Sequence, residues 1–475
     1  MSAVQAASSD SLPNVKLVVI GAIFHTLSFH EFIHHKTAAI GVDDSGKISF
    51  LHDLKDISTT DAEIWINQRY LVDRLILLPS SQFLVPGFVD THIHAPQYTF
   101  TGTGYDMTLL KWLEKYTFPR EAEFKSEVIA QENYTKVVRK SMQCGTTTAC
   151  YFATTHLESS MVLARIIDQL GQRAYVGKVN MDRNSPIFYT ETTQESIEAT
   201  LKFVSAVQNL KSQLITPVLT PRFVPSCTPE LMTRLGEISK TMQLPIQSHL
   251  SETPSELDWV KELHPDQSSY SAVYDHFGLL SSATIMAHCV HLSETERNLL
   301  KERNVGIAHC PSSNFCLNSG VMNLRRLVQE GHTKIGLGTD VAGGYSPSIM
   351  DSIRQAIIAS KVIHTTSRDS PNSDKIYEPI TATEGFYLAT LGGARCLGLD
   401  RQTGNFVPGK DLDALIVNMT ISSGKNLIRD GDTYQKSNNI DIFAHDNQLT
   451  MFEKFIYLGD DRNIESVFVA GSQVI

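Results

Sequence analysis

Apolar, β-branched stretches recur through the middle of the chain, each ending in polar or special residues. In order they are FLVPGFVDTHIH (83–94), GTTTACYFAT (145–154), RAYVGKVNMD (173–182), LITPVLTPRF (214–223), LPIQSHLSE (244–252), ATIMAHCVHL (283–292), NVGIAHCPSSN (304–314) and TKIGLGTDVAGG (333–344). Near-continuous apolar runs suit strands buried on both faces, as parallel strands are. Between them, SSMVLARIIDQLG (159–171) and PELMTRLGEISKTMQ (229–243) carry apolar residues at helical spacing. Eight such units predict an α/β fold, a (β/α)8 TIM-like barrel with one long insertion after its first strand. The alternative is an open doubly wound sheet, but no Gly-x-Gly-x-x-Gly turn follows any of these strands.

The pattern changes at both ends. VKLVVIGAIF (15–24), HKTAAIGVD (35–43) and KISFLHD (47–53) read as short alternating strands, and DALIVNM (413–419) and ESVFVAGSQVI (465–475) repeat that character. The expected division is therefore a barrel over residues 85–404, with residues 1–84 and 405–475 meeting in a small β-sandwich domain.

Composition narrows the class. Hydrophobic residues make up 42% and charged residues 19%, which suits a globular protein. A net charge of −10 without a basic cluster argues against a nucleic-acid polymer as partner. The start, MSAVQAASSDSLPNVK, lacks the basic and apolar regions of a signal peptide, and no apolar run approaches the length that spans a bilayer. Seven scattered cysteines without a Cys-x-x-Cys pair read as reduced thiols, so the expectation is a cytoplasmic protein.

In a barrel the reactive groups sit at the C-terminal ends of the strands. There the first strand places His92 and His94, the fifth His249 with Glu252 three residues on, the sixth His288 and the eighth Asp340. Residues two apart on a strand point the same way, so His92 and His94 can converge on one point. His249 and Asp340 would complete a mixed N/O shell for one divalent ion, zinc by donor type, with a position left for water. Such an ion lowers the pKa of a bound water toward about 7. His30, His34, His35 and His364 read as surface residues, and His291 as a loop residue. Lys178 suggests a carbamylated bridge between two metals, but the fourth strand has no lysine to support a second ion. The His-x-Glu with Pro-Cys-x-x-Cys zinc signature, the Gly-x-Ser-x-Gly elbow, the Walker loop and His-Glu-x-x-His are all missing.

With these residues in place the chain resembles the amidohydrolase superfamily, and within it the guanine deaminases. PGFVDTHIH, QSHLSE, MAHCVHL and GLGTD carry the broad likeness. HAPQY (94–98), LLKWLEKYTFP (109–119), GTTTACYFAT, GQRAYVGKVNMD (171–182), TPRF (220–223), AHCPSSN (308–314) and KIGLGTDVAGGYS (334–346) carry the narrower one. The likeness runs from about residue 85 to 420, in order.

The resemblance implies hydrolytic deamination of guanine to xanthine and ammonia, in purine salvage or catabolism, by a homodimer with one Zn2+ per subunit. It implies that His92, His94, His249 and Asp340 hold the metal. Gln97, Arg222 and Phe223 would grip the purine, with His249, Glu252 and Asp340 also touching it, and His288 would steady the attacking water. The residue chemistry agrees, since Arg222 offers fixed donors to a carbonyl, Gln97 can donate and accept, and Phe223 offers a stacking face. The expected acid/base pair is Asp340, taking a proton from the water, and Glu252, giving one to ring N3. The alternatives are an amidohydrolase acting on another aminated heterocycle and a non-catalytic scaffold; the second predicts lost ligands, and all four are present.

Overall fold

Five strands precede the central region: β1 (Asn14–Ser28), β2 (Glu31–Val42), β3 (Ile48–Asp53), β4 (Leu71–Leu77) and β5 (Gln82–Pro86). The computed structural model describes residues 12–55, 57–367, 377–420, 422–429, 432–437 and 440–475. Residues 1–11, where the sequence was read for a signal peptide, lie outside the described residues. β1 is long enough to take two neighbours along one edge, pairing in parallel with β4 through its first half and with β5 near Ala22 and Ile23. Its other edge runs antiparallel to β2, which pairs with β3.

The central strands are β6 (Phe88–His94), β7 (Thr146–Phe152), β8 (Arg173–Gly177), β9 (Val179–Asn180), β10 (Ile215–Pro217), β11 (Thr220–Pro221), β12 (Ile246–Leu250), β13 (Thr284–His288), β14 (Gly306–His309) and β15 (Ile335–Leu337). All their pairings are parallel: β10-β8-β7-β6, β11-β9 and β12-β13-β14-β15. A parallel bridge between Leu219 and Ile246 joins the fourth segment to β12. Asp340 N donates to His92 O at 2.9 Å and His94 N to Val341 O at 3.0 Å, which ties the segment after β15 to β6. Helices alternate with these strands. The segment expected to be helical at 159–171 forms Leu157–Leu170, stopped by Gly171 in the left-handed conformation (φ +74°), and that at 229–243 forms Pro229–Met242.

Three expected strands are each two. The 83–94 run breaks at Gly87 into β5, which joins the outer sheet, and β6. The break falls at the Pro86-Gly87 pair, and a Cβ at Gly87 would stand 2.2 Å from Thr147, so close packing requires the glycine. The third and fourth runs divide into β8 with β9 and β10 with β11, so their polar ends form a separate two-stranded pairing.

The chain ends with β16 (Ala414–Asn418), the β17 (Ser422–Arg429) and β18 (Asp432–Ser437) hairpin, β19 (Ile464–Val469) and β20 (Ser472–Gln473). The two ends do meet, in one eight-stranded sheet ordered β20-β19-β16-β5-β1-β2-β3 with β4 beside β1. Apolar residues alternate across it and fill a core that includes Val19, Ile40, Leu84 and Ile416. Arg173 on β8, almost fully buried, binds Asp411 at 2.9 Å and Asp413 at 3.1 Å just before β16, so a buried ion-pair cluster joins the two sheet systems. His34, His35 and His364, expected at the surface, are half-buried; the His34 ring stacks on Phe24 at 4.5 Å, and His364 Nδ1 reaches Tyr377 O. No helix among the described residues is long and apolar enough to cross a membrane.

Candidate active site

The ends of β6, β12 and β13, the segments after β11 and β15, and the β6–β7 insertion surround one cavity. Its walls include His94, Gln97, Arg222, Phe223, His249, Glu252, His288 and Asp340, with His92 fully buried behind them. All nine candidates from the sequence therefore gather at one place. Two of the strand ends are bent sharply to do so: His288 (φ 71°) and Asp340 (φ 45°) adopt left-handed backbone, which costs non-glycine residues about 1–3 kcal/mol each.

The donor atoms of His92, His249, His288 and Asp340 lie within 4.8 Å of one another, and His94 stands beside His249 and Asp340. His94 Nε2 is 3.1 Å from His249 Nε2 and 3.4 Å from Asp340 Oδ1, and His92 Nε2 is 3.2 Å from the same oxygen. The edge of a tetrahedron around an ion with ligand bonds of about 2.0–2.1 Å is about 3.3 Å, so these spacings fit a zinc-like ion. His249 Nδ1 lies 2.6 Å from the backbone carbonyl of Arg222 and must donate its hydrogen there, which leaves Nε2 a bare lone pair facing the cluster. His92 Nδ1 is held by Gln247 Oε1 at 2.7 Å and His288 Nδ1 by Asn314 Oδ1 at 3.0 Å. Lone pairs and a carboxylate packed this closely out of water fit a cation between them.

His288 stands slightly apart. It faces the other oxygen of Asp340, Oδ2, at 3.7 Å and Glu252 Oε2 at 3.4 Å. Burial opposes ionisation of Asp340, but contact with His92, His288 and His94 outweighs it and holds the carboxyl well below the usual carboxylate range. Burial, then the neighbouring Asp340 charge, pushes Glu252 up to about 8. Two adjacent carboxyls are thus set to opposite proton states at neutral pH. Glu252 Oε1 accepts from Ser319 Oγ at 2.9 Å. Its backbone N–H donates to Glu256 at 2.9 Å, part of the capping box that starts the helix Pro254–Leu263.

Arg222 is buried, and burial works against its charge; Glu121 outweighs that. Phe223 meets Trp259 edge-on at 6.1 Å and keeps one side toward the cavity. Leu109, Trp112 and Leu113 from the insertion, with Leu317, make the remaining apolar wall. These residues, Glu121, Gln247 and Asn314 were not singled out by sequence. Glu256 had a visible signal in the Thr-x-x-Glu spacing from Thr253; Glu121 had none. Lys178 is buried with its ammonium 2.7 Å from Glu191, and His291 Nε2 reaches Ser319 O at 2.6 Å.

Residues 83–474 match the amidohydrolase family. The chain is 45% identical over 464 residues to the guanine deaminase of Mus musculus, covering 98% of this chain and 97% of that protein. It is 43% identical over 458 residues to the guanine deaminase of Dictyostelium discoideum, covering 96% and 97%. The crystal structure of the C. acetobutylicum guanine deaminase, with guanine bound in its active site, is 36% identical and matches with a TM-score of 0.84 over 97% of this chain and 100% of that one. The chain belongs to the amidohydrolase family and, within it, to the guanine deaminases.

Proposed function

We propose that this protein hydrolyses guanine to xanthine and ammonia with one zinc ion held by His92, His94, His249 and Asp340. The observation that carries this reading is the pairing, in one cavity, of a closely spaced His/Asp group with a buried arginine, an amide and an aromatic side chain. His94 is preferred to His288 as ligand because it shares Asp340 Oδ1 with His92, whereas His288 faces Oδ2.

Arg222 and Gln97 hold the flat base by its carbonyl and ring edge, and Phe223 covers a face. Zinc, when bound, would polarise the attacking water. Asp340 Oδ2 takes the proton the water loses as its oxygen bonds to C2, with His288 beside it to hold that oxygen in line. Glu252, protonated at neutral pH, gives its proton to N3. Proton transfer through these two carboxyls to the C2 amino group then releases ammonia as the C2–N bond breaks, and the C2 oxygen remains as the carbonyl of xanthine.

The same reading takes the central parallel strands as a closed (β/α)8 barrel over residues 85–404, and the outer sheet as a small sandwich built from residues 1–84 and 405–475. It places a homodimer in the cytoplasm, for which sedimentation should give twice the chain mass of 52.8 kDa. Ammonia release from guanine, adenine and cytosine at equal enzyme tests the activity. Guanine should be preferred by orders of magnitude; negligible guanine turnover with release from another ring would replace guanine by another aminated heterocycle.

A further inference from the structure

The two side chains that would grip the purine converge on one partner. Glu121, on the short helix Phe118–Glu123, is fully buried, and four donors fill its two carboxylate oxygens. Oε2 accepts from Arg222 Nη1 at 2.7 Å and Tyr189 Oη at 2.8 Å; Oε1 accepts from Arg222 Nη2 at 3.1 Å and Gln97 Nε2 at 2.8 Å. Gln97 Oε1 meanwhile accepts from Ala342 N at 3.2 Å. The amide therefore has one permitted orientation. Turned over, it would set its oxygen against a carboxylate and its NH2 against an N–H. Gln97 Nε2 and Arg222 Nη2 share Oε1, which brings the two donor groups together at one carboxylate oxygen.

We propose that Glu121 is a positioning residue that fixes the hydrogen-bond polarity of the base pocket. It aims the donor-only guanidinium of Arg222 and commits the Gln97 amide to presenting its NH2, so a carbonyl at C6 is accepted and an amino group at C6 is refused. The inference rests on the reading of the cavity as a guanine site. A site committed to hydrogen-bonding one edge rejects the analogue that mismatches it far more strongly than an apolar pocket does, because the mismatch leaves buried polar groups unpaired.

The informative competitor is 2,6-diaminopurine, which keeps the C2 amino group and carries an amino group where guanine has its C6 carbonyl. In Glu121→Gln an amide replaces the acceptor-only carboxylate and cannot satisfy four donors, so Gln97 is free to turn. Glu121→Asp keeps the charge and serves as the conservative variant. With folding checked by circular dichroism, kcat and KM for both purines would be measured in the wild type and both variants. The expectation for Glu121→Gln is a guanine KM raised about tenfold or more with a smaller change in kcat, and a guanine preference reduced at least about tenfold. Glu121→Asp should retain more of that preference. Equal losses on both purines in folded Glu121→Gln, or a preference lost as fully in Glu121→Asp as in Glu121→Gln, would overturn the inference. A wild type that releases no ammonia from guanine would instead defeat the guanine reading itself, so the two failures are distinguishable.

Discussion

His94 and His249 stand 155 residues apart in the chain and bring their Nε2 atoms to 3.1 Å. The backbone carbonyl of Arg222 takes the hydrogen of His249 Nδ1, so the Nε2 that faces His94 carries a lone pair. Such a contact, with the Asp340 carboxylate 3.4 Å from the same His94 atom, is held together best by a cation. Removing metal with a chelator should therefore abolish ammonia release and lower the unfolding midpoint, and adding zinc should restore both. At a metal concentration a thousandfold above Kd the lost stabilisation would be about 4 kcal/mol. Full activity in protein shown to be metal-free would defeat the assignment.

The proposed role of Glu252 is to give a proton, not to hold the ion. Its Oε2 is 3.4 Å from His288 and its Oε1 takes the Ser319 hydroxyl, whereas His92 and His94 meet Asp340 Oδ1 at 3.2 and 3.4 Å. Glu252→Gln should keep bound zinc at the wild-type ratio and lower kcat by about 10²–10⁴-fold, the range for a lost general acid. Turnover and zinc content measured on the same preparation decide it. Near-normal turnover removes Glu252 from the acid role, and lost zinc makes it a ligand.

Gly343 presses its backbone against the carboxylate proposed as the base. A Cβ there would stand 2.8 Å from Asp340 Oδ2 and 2.5 Å from Ser313 Oγ. The serine hydroxyl can rotate away, but the carboxylate is held by His92, His94 and His288. Gly343→Ala should therefore displace Oδ2 and cost at least about tenfold in kcat, since small misplacements of reacting groups are expensive. Its unfolding midpoint should change little. A variant with wild-type kcat would show that Asp340 Oδ2 tolerates the shift and is not the base.

Much of this site was legible because parallel strands buried on both faces leave near-continuous apolar runs. His92, His94, His249, His288 and Asp340 interrupt such runs at their C-terminal ends, where polar groups in the interior need a reason. What was hidden depends on contacts between distant segments. The break at Pro86-Gly87 carries a local turn signal, but the contact that demands a glycine there is with Thr147, 60 positions away by sequence number. Glu121 sits in PREAE, a stretch that reads as an exposed helix turn; only the folded chain buries it against Arg222 and Tyr189. The outer strands were visible by alternation, but their joining into one sheet across both ends depends on β5 pairing with β16.

Away from the site, the fold holds a histidine neutral at a cost that acid should expose. His25, on β1, is buried between the His35 and Phe406 rings, and its Nδ1 has no hydrogen-bond partner. Burial, with the nearby His35 and Lys410 charges, lowers its pKa to about 4. Above pH about 6.5, the ordinary histidine value, folded and unfolded chains both carry it neutral and it has no effect on stability. Between about 6.5 and 4 the unfolded chain binds a proton that the native state does not, so stability falls with pH across that window. From pH 7 to 4.5 this one group should remove about 2–3 kcal/mol. His25→Leu keeps an apolar side chain of similar bulk and cannot titrate. In urea unfolding at both pH values, the variant should therefore lose about 2–3 kcal/mol less than the wild type on acidification. His309, buried with a pKa lowered to about 3, acts in the same direction and remains in the variant, so part of the acid loss should persist. Equal losses in the two proteins would mean that His25 takes up its proton in the folded state.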